Sequence, residues 1–419
     1  MTDAFICTIG DELLIGQVVD TNSARIAQAL GQAGVTISGR SAVGDDSKAI
    51  ENAITAALKA HSIVITTGGL GPTKDDITKA VLARISHSSR YVEHQGQWER
   101  VQQILHGRGL DILPENRAQA LVPENMEVIV NQLGTAPIMI YRSPEGSTLY
   151  ALPGVPHEAV GALPSIIEDI RAHYPLQSIL HRNIMVYGLA ESALSKLIEP
   201  WETALDADMH LAYLPNPLTG VRLRLSMYNL DSEADARSRM EEKIASLKEI
   251  LGERVYADED STLEESVGKV LKKAGKTLSA AESCTGGEIA HLITSVPGAS
   301  EWFLGSVTSY AVSVKEGVLG VPHSIIENHG VVSSEVAIAM AQGVRRLTGS
   351  DFAVATTGLA GPSGDGVNPV GTVWIGVAGP GGNESVSYVY KNDRARNIER
   401  FSASALNFLR LFILKELSH

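Results

Sequence analysis

Three stretches of this 419-residue chain join residue types that can do chemistry. In Ala281-Glu282-Ser283-Cys284-Thr285-Gly286-Gly287 a strand-like run breaks into a helix start with small and hydroxyl residues at the turn. Backbone N–H groups at a helix start can stabilise a developing oxyanion, and glycines let a substrate approach the main chain. Ser283 therefore stands as a nucleophile would, although Ser283 or Thr285 could equally cap the helix. Lys315 follows the strand-like Ser306-Val307-Thr308-Ser309-Tyr310 with no acidic residue between. A desolvated lysine beside a serine is the general base of Ser-Lys acyl transfer. Cys284 is a rival nucleophile, but a catalytic thiolate usually needs a nearby histidine. His291 is two helical turns further on, roughly 10 Å along the axis.

The second stretch, Thr356-Thr357-Gly358-Leu359-Ala360-Gly361-Pro362-Ser363-Gly364, has enough glycine to wrap a phosphate in backbone donors, or to be an ordinary turn-rich connection. Its spacing matches neither a Walker loop nor a G-x-G-x-x-G fingerprint. In the third, Thr66-Thr67-Gly68-Gly69-Leu70-Gly71-Pro72-Thr73-Lys74-Asp75-Asp76, the amides of the Gly68, Gly69 and Gly71 loop suit an anion. Asp75 and Asp76 would repel that anion unless a cation sits between, which implies a metal-assisted phosphate site. The alternative is that the pair simply loads the N-terminus of the next helix.

These residues need strand ends to hold them. Phe5 to Ile9 and Ser62 to Thr66 read as buried strands, with helices over Asn22 to Gly34 and Ser47 to Leu58. Strands alternating with helices imply a mostly parallel sheet with ligands at the carboxyl ends of its strands. Between Arg171 and Tyr256 the pattern changes to two strands, Asn183 to Tyr187 and Val221 to Tyr228, and a charged helix from Ser232 to Leu251. Asp258-Glu259-Asp260 reads as a solvated linker. A second α/β series follows: a helix at Leu263 capped by Ser261 or Thr262, strand Lys276 to Ala281, a helix from Gly286 and strand Ser306 to Ala311. Helix Glu335 to Leu347, strand Phe352 to Thr357, strands Thr372 to Val377 and Ser385 to Tyr390, and a last helix complete it.

Hydrophobic residues make up 44% of the chain and charged ones 20%, so it can bury substantial cores and is not a disordered chain. With 35 Lys+Arg against 48 Asp+Glu the net charge is −13, which gives no general attraction to nucleic acid or anionic membrane. Small-molecule partners are expected. Two cysteines, no basic leader and no spanning apolar run point to the cytoplasm.

The heptapeptide at Ser283, with Val296-Pro297-Gly298-Ala299-Ser300, Ser309-Tyr310, Lys315, His329-Gly330-Val331-Val332-Ser333 and Thr357-Gly358-Leu359-Ala360-Gly361-Pro362, closely resembles the C-terminal domain of the CinA family. The resemblance implies an amidohydrolase that turns nicotinamide mononucleotide into nicotinic acid mononucleotide and ammonia without a cofactor. It implies Ser283 as nucleophile, Lys315 as base, and Tyr310 orienting one of them. Thr285, Gly286, Gly287, Ser300, Thr357 and Gly361 would contact substrate, with an arginine for the 5′-phosphate. Arg394, Arg396 and Arg400 compete for that role, and Arg394 is favoured.

Ile9-Gly10-Asp11-Glu12-Leu13-Leu14-Ile15-Gly16, Asp20-Thr21-Asn22, the Gly68 loop, Leu113-Pro114-Glu115-Asn116-Arg117, Gly134-Thr135-Ala136-Pro137 and Pro153-Gly154-Val155-Pro156-His157-Glu158 resemble the molybdopterin-binding fold of MogA- and MoeA-like proteins, as in the CinA N-terminal domain. Ile138 stands where that family often has glycine. This resemblance implies an ADP-ribose pyrophosphatase using magnesium, manganese or cobalt, and potassium, with Asp75, Asp76 and Glu158 as metal candidates. The expected architecture is a mostly parallel α/β domain over 1–170, a small α+β module over 171–257 and an α/β amidohydrolase domain over 261–419. The resemblance also suggests a homodimer. A molybdopterin-handling protein and a non-catalytic partner in DNA uptake or damage response are the alternatives.

Overall fold

A computed structural model describes residues 2–418 apart from Pro72, Lys74, Asp75, Gln177, Pro217, Asn229, Asp231 and the side chains of Pro114 and Glu115. The chain forms two compact units, Met1–Leu180 with Tyr228–Glu233, and His181–Met227 with Ala234–His419. Among the described residues no helix is long and apolar enough to cross a membrane.

The first unit is built on a six-stranded sheet in the order Thr36–Val43, Asp3–Ile9, Ile63–Thr67, Thr148–Leu152, Ile138–Arg142, Glu127–Ile129. The first four strands are mutually parallel, and Ile138–Arg142 pairs antiparallel with the neighbour on each side. Ile6, Ile65 and Tyr150 meet Ile26, Leu30 and Ile166 on one face, while Cys7, Val64 and Leu149 meet Ile50, Ile54 and Val81 on the other. A sheet covered on both faces has no polar alternation, which is why its central strands read as unbroken apolar runs. The expected strands at Phe5 and Ser62 are these central ones. Thr36–Val43 was not legible because it is an edge strand with Gly39 and Arg40 inside it and no buried residue. Helices Thr21–Gln32 and Ser47–Ala60 start where Asp20 accepts from the Ser23 N–H and Asp46 from those of Lys48 and Ala49.

In the second unit a four-stranded sheet runs Met209–Asn216, Gly220–Tyr228, Ile179–Val186, Val255–Ala257, with helices Glu191–Thr203 and Glu233–Leu251. This is two strands and one helix more than the sequence pattern suggested. Pro200 sits inside the helix Glu191–Thr203 and reads as a break, and Met209–Asn216 is a half-exposed edge. The acidic run after it is anchored rather than free: Asp258 pairs with Lys248 at 2.9 Å, Asp260 with Arg222 at 3.1 Å, and Glu259 with Lys269.

The C-terminal sheet follows the order Phe303–Thr308, Leu278–Glu282, Phe352–Gly358, Thr372–Ala378, Asn383–Val389, its first three strands parallel and Thr372–Ala378 antiparallel to the neighbour on each side. One face packs Leu278, Phe352, Val354 and Ile375 against Phe401, Leu406 and Leu409 of the terminal helix Arg394–Leu417. Met185 and Tyr256 of the preceding module belong to the same core. On the other face Ala281, Ala353 and Ala355 let the helix Ser334–Thr348 lie close through Val336, Met340 and Val344. The helix Leu263–Ala274 begins at a capping box, with Thr262 accepting from the Glu265 N–H and Glu265 from the Thr262 N–H.

Candidate active site

The strand Leu278–Glu282 stays buried to its last residue, then breaks and places Ser283 at the carboxyl edge of the sheet. Glu282 is in register with Thr308 on one side and Thr356 on the other, so three parallel strand ends meet there. The Ser283 N–H donates to the Thr356 carbonyl at 3.0 Å. The strand Phe303–Thr308 leads into the short helix Val312–Gly317, which turns Lys315 back onto the serine. Lys315 Nζ lies 2.9 Å from Ser283 Oγ, 2.6 Å from the Ser309 carbonyl and 3.5 Å from the Tyr310 carbonyl.

Lys315 is wholly inaccessible to solvent, and that burial pushes its pKa below the ordinary lysine value. A neutral amine has two N–H donors and one lone pair. The two carbonyls can take the N–H groups, which leaves the lone pair for the Ser283 hydroxyl proton. Such an arrangement makes a buried lysine a general base. Cys284 is also buried, and burial pushes its thiol up to about 12, so it is protonated at neutral pH and a poor nucleophile.

A cavity of about 350 Å³ opens onto this pair, lined also by Val331, Val332, Thr357, Gly361, Asp365, Tyr310 and Arg394. At its mouth Arg394 donates to the Gly361 carbonyl at 2.6 Å and to the Tyr310 hydroxyl at 3.0 Å. Its partners are neutral, and among the described residues no carboxylate pairs with it, so its charge is available to an anion. Arg396 lies 3.8 Å from Asp393, and Arg400 stacks over the Tyr390 ring at 5.5 Å. Of the three arginines, Arg394 is the one in the cavity wall.

Four expectations change here. The helix after the serine starts at Glu288 rather than Gly286, and the N–H groups of Gly287, Ile289 and Ala290 all donate to the Glu282 carboxylate. They are therefore not oxyanion donors. Gly286 and Gly287 instead take positive φ values of 65° and 108° in the turn, and the Thr285 hydroxyl pairs with Thr356, so none of the three lines the cavity. Ser300 is exposed on the turn Ala299–Glu301, away from the cavity wall. Tyr310 offers Lys315 its main-chain carbonyl, while its phenol holds Arg394. Thr357 lines the cavity and donates its hydroxyl to the Val331 carbonyl at 2.8 Å.

In the first unit a cavity of about 470 Å³ lies at the strand ends, lined by Gly68, Gly69, Gly71, Asp76 and Glu158 together with Glu12, Asn22, Asp45 and Gly154. Asp75 lies outside the described residues. Asp76 accepts from the N–H and hydroxyl of Thr73, and Glu158 accepts from the Asn131 amide at 2.7 Å. Among the described residues no three His, Cys, Asp or Glu side chains converge as a metal-binding group. The two described metal candidates, Asp76 and Glu158, are thus each engaged in a loop bond.

Models of known families match the chain as the probable molybdopterin binding domain over 5–173, the damage-inducible protein CinA KH domain over 181–257 and the CinA C-terminal domain over 260–413. The CinA-like protein of Flavobacterium psychrophilum is 40% identical over 99% of both chains. This chain belongs to the CinA-like family. The CinA-like protein of Salinibacter ruber is 38% identical over 96% of this chain and 97% of its own. A crystal structure described as the protein CinA with unknown function, from Thermoplasma acidophilum, is 32% identical, covers 40% of this chain and 98% of its own, and has a TM-score of 0.36.

Two residues of this CinA-like site carry roles that sequence reasoning missed. Glu282 ends a buried strand that is apolar apart from Ser279, and a carboxylate there must be fully hydrogen bonded, which was the available signal. Asn397, also fully buried, donates to the Ala360 carbonyl at 3.0 Å and ties the cavity loop to the terminal helix. Nothing in the pattern around Asn397 distinguishes it from an ordinary helix residue.

Proposed function

We propose that this CinA-like chain hydrolyses the carboxamide of nicotinamide mononucleotide to nicotinic acid mononucleotide and ammonia. The observation that carries this reading is the buried contact of 2.9 Å between Lys315 Nζ and Ser283 Oγ at the floor of a cavity with Arg394 at its mouth. Ser283 Oγ attacks the carboxamide carbon as Lys315 takes its proton. The tetrahedral intermediate collapses when Lys315 returns that proton to the departing nitrogen, releasing ammonia and leaving an ester on Ser283. Water, deprotonated by Lys315, then cleaves the ester. Cys284 lines the cavity, and its N–H bonds to no other residue among the described ones, so it is the donor free to meet the oxyanion.

Arg394 with the Gly361 loop takes the 5′-phosphate in this reading. Arg394→Ala raises KM for the mononucleotide about 10- to 100-fold with kcat within about threefold, since a phosphate contact remote from the carboxamide is uniform binding. Nicotinamide riboside, which lacks the phosphate, shows no such penalty. Ammonia release from the mononucleotide tests the whole reading, and purified protein that leaves the mononucleotide intact refutes it. The two unpaired cysteines suit a reducing compartment, and we place the reaction in the cytoplasm.

A second reading rests on the glycine-lined cavity of the first unit, which suits the pyrophosphate of ADP-ribose, with AMP and ribose 5-phosphate as products. A divalent metal, with potassium, would offset the phosphate charge there. The described residues alone do not complete its coordination. AMP release from ADP-ribose that needs added magnesium, manganese or cobalt and stops with chelator supports this reading, and intact ADP-ribose under those conditions ends it.

A further inference from the structure

Glu282 is completely buried, immediately precedes the proposed nucleophile, and has no part in the proposed chemistry. Its carboxylate accepts three main-chain bonds, from Gly287 and Ile289 at 3.0 Å and Ala290 at 2.9 Å. These are the amides that open the helix Glu288–Thr294, and they clamp the far end of the turn that carries Ser283. The main-chain carbonyl of Glu282 reaches the other way and accepts the Ser309 N–H at 2.7 Å. The Ser309 carbonyl in turn accepts Lys315 Nζ at 2.6 Å, and Lys315 returns to Ser283 Oγ at 2.9 Å. A closed ring of contacts thus runs from Glu282 through Ser309 and Lys315 to Ser283, with the Glu282 side chain anchoring one corner. Full desolvation of a carboxylate is costly unless its lone pairs are filled, so the anchor is stiff because it is fully satisfied.

We infer that Glu282 is a positioning residue, whose carboxylate sets the Ser283–Lys315 distance by fixing the turn between strand and helix. The inference takes the Ser283–Lys315 pair as the reacting pair of the proposed amidase. Glutamine at 282 fills the same space but presents an NH2 group to at least one of the three amides, so the clamp loosens where the volume is kept. A one-angstrom misplacement of reacting groups is worth about 10²-fold in rate.

The test uses the full chain as wild type, Glu282→Gln and Glu282→Asp. The readouts are ammonia release from nicotinamide mononucleotide and, separately, the rate at which a fluorophosphonate labels Ser283, with the folded fraction taken from circular dichroism. For Glu282→Gln the expected result is a kcat per folded molecule about 10²-fold lower, labelling slowed comparably, and KM within about threefold. Glu282→Asp, which keeps the charge but retracts it, gives no rescue. A folded Glu282→Gln protein with kcat and labelling within twofold of wild type overturns the inference. So does a loss that only follows the folded fraction, which is what a purely structural role predicts. If wild type labels at Ser283 but releases no ammonia, the substrate reading fails while labelling still decides the role of Glu282. A wild type that does neither overturns both.

Discussion

Ser283→Ala lowers ammonia release from nicotinamide mononucleotide by at least about 10³-fold, whereas Cys284→Ala keeps most of the rate. Both residues are buried at the same turn and both line the cavity, so position alone does not separate them. Protonation does. Burial holds the Cys284 thiol at about 12, so almost no thiolate exists at neutral pH. Ser283 needs no standing anion because Lys315 Nζ is 2.9 Å from its oxygen and can take the proton during attack. Steady-state ammonia assays on the two variants decide the matter, and a dead Cys284→Ala beside an active Ser283→Ala would reverse the assignment.

Lys315→Met lowers kcat by about 10²- to 10⁴-fold, the usual worth of a general base, and Lys315→Arg fares no better because a guanidinium stays protonated. The pH profile carries the same information with a definite sign. The base is active when neutral and burial lowers its pKa, so kcat/KM rises with pH through a midpoint below the ordinary lysine value. Activity is lost on the acid side as Lys315 gains a proton. A kcat/KM profile in the wild type whose acid limb lies at or above the ordinary lysine value contradicts this account.

The Ser283 turn and Lys315 were legible because both follow strand-like runs, and a strand end in a parallel sheet is where a ligand sits. Arg394 was legible as one of three arginines at a helix start, and the choice among them needed the fold: Arg394 reaches Gly361 and Tyr310 across gaps of 33 and 84 residues. The acid at the end of a buried strand signalled that Glu282 must find donors, but not that they would be the helix amides, because a helix N-terminus looks free in sequence until a buried acid is seen to fill it. Central strands such as Ile63–Thr67 announced themselves by composition, while Thr36–Val43 and Met209–Asn216 did not. Edge strands have no buried run to advertise, and their pairing is set by neighbours distant in the chain.

The core that joins Met185 and Tyr256 to Phe401, Leu406 and Leu409 means that family boundaries near residue 260 are not lines along which this protein comes apart. The buried Arg410 reinforces that seam, donating to the Glu253 carbonyl across 157 positions of sequence. The terminal helix that presents Arg394 at one end thus shares the core along its other half with the module before it, so the cavity wall and the seam between modules are held by one element.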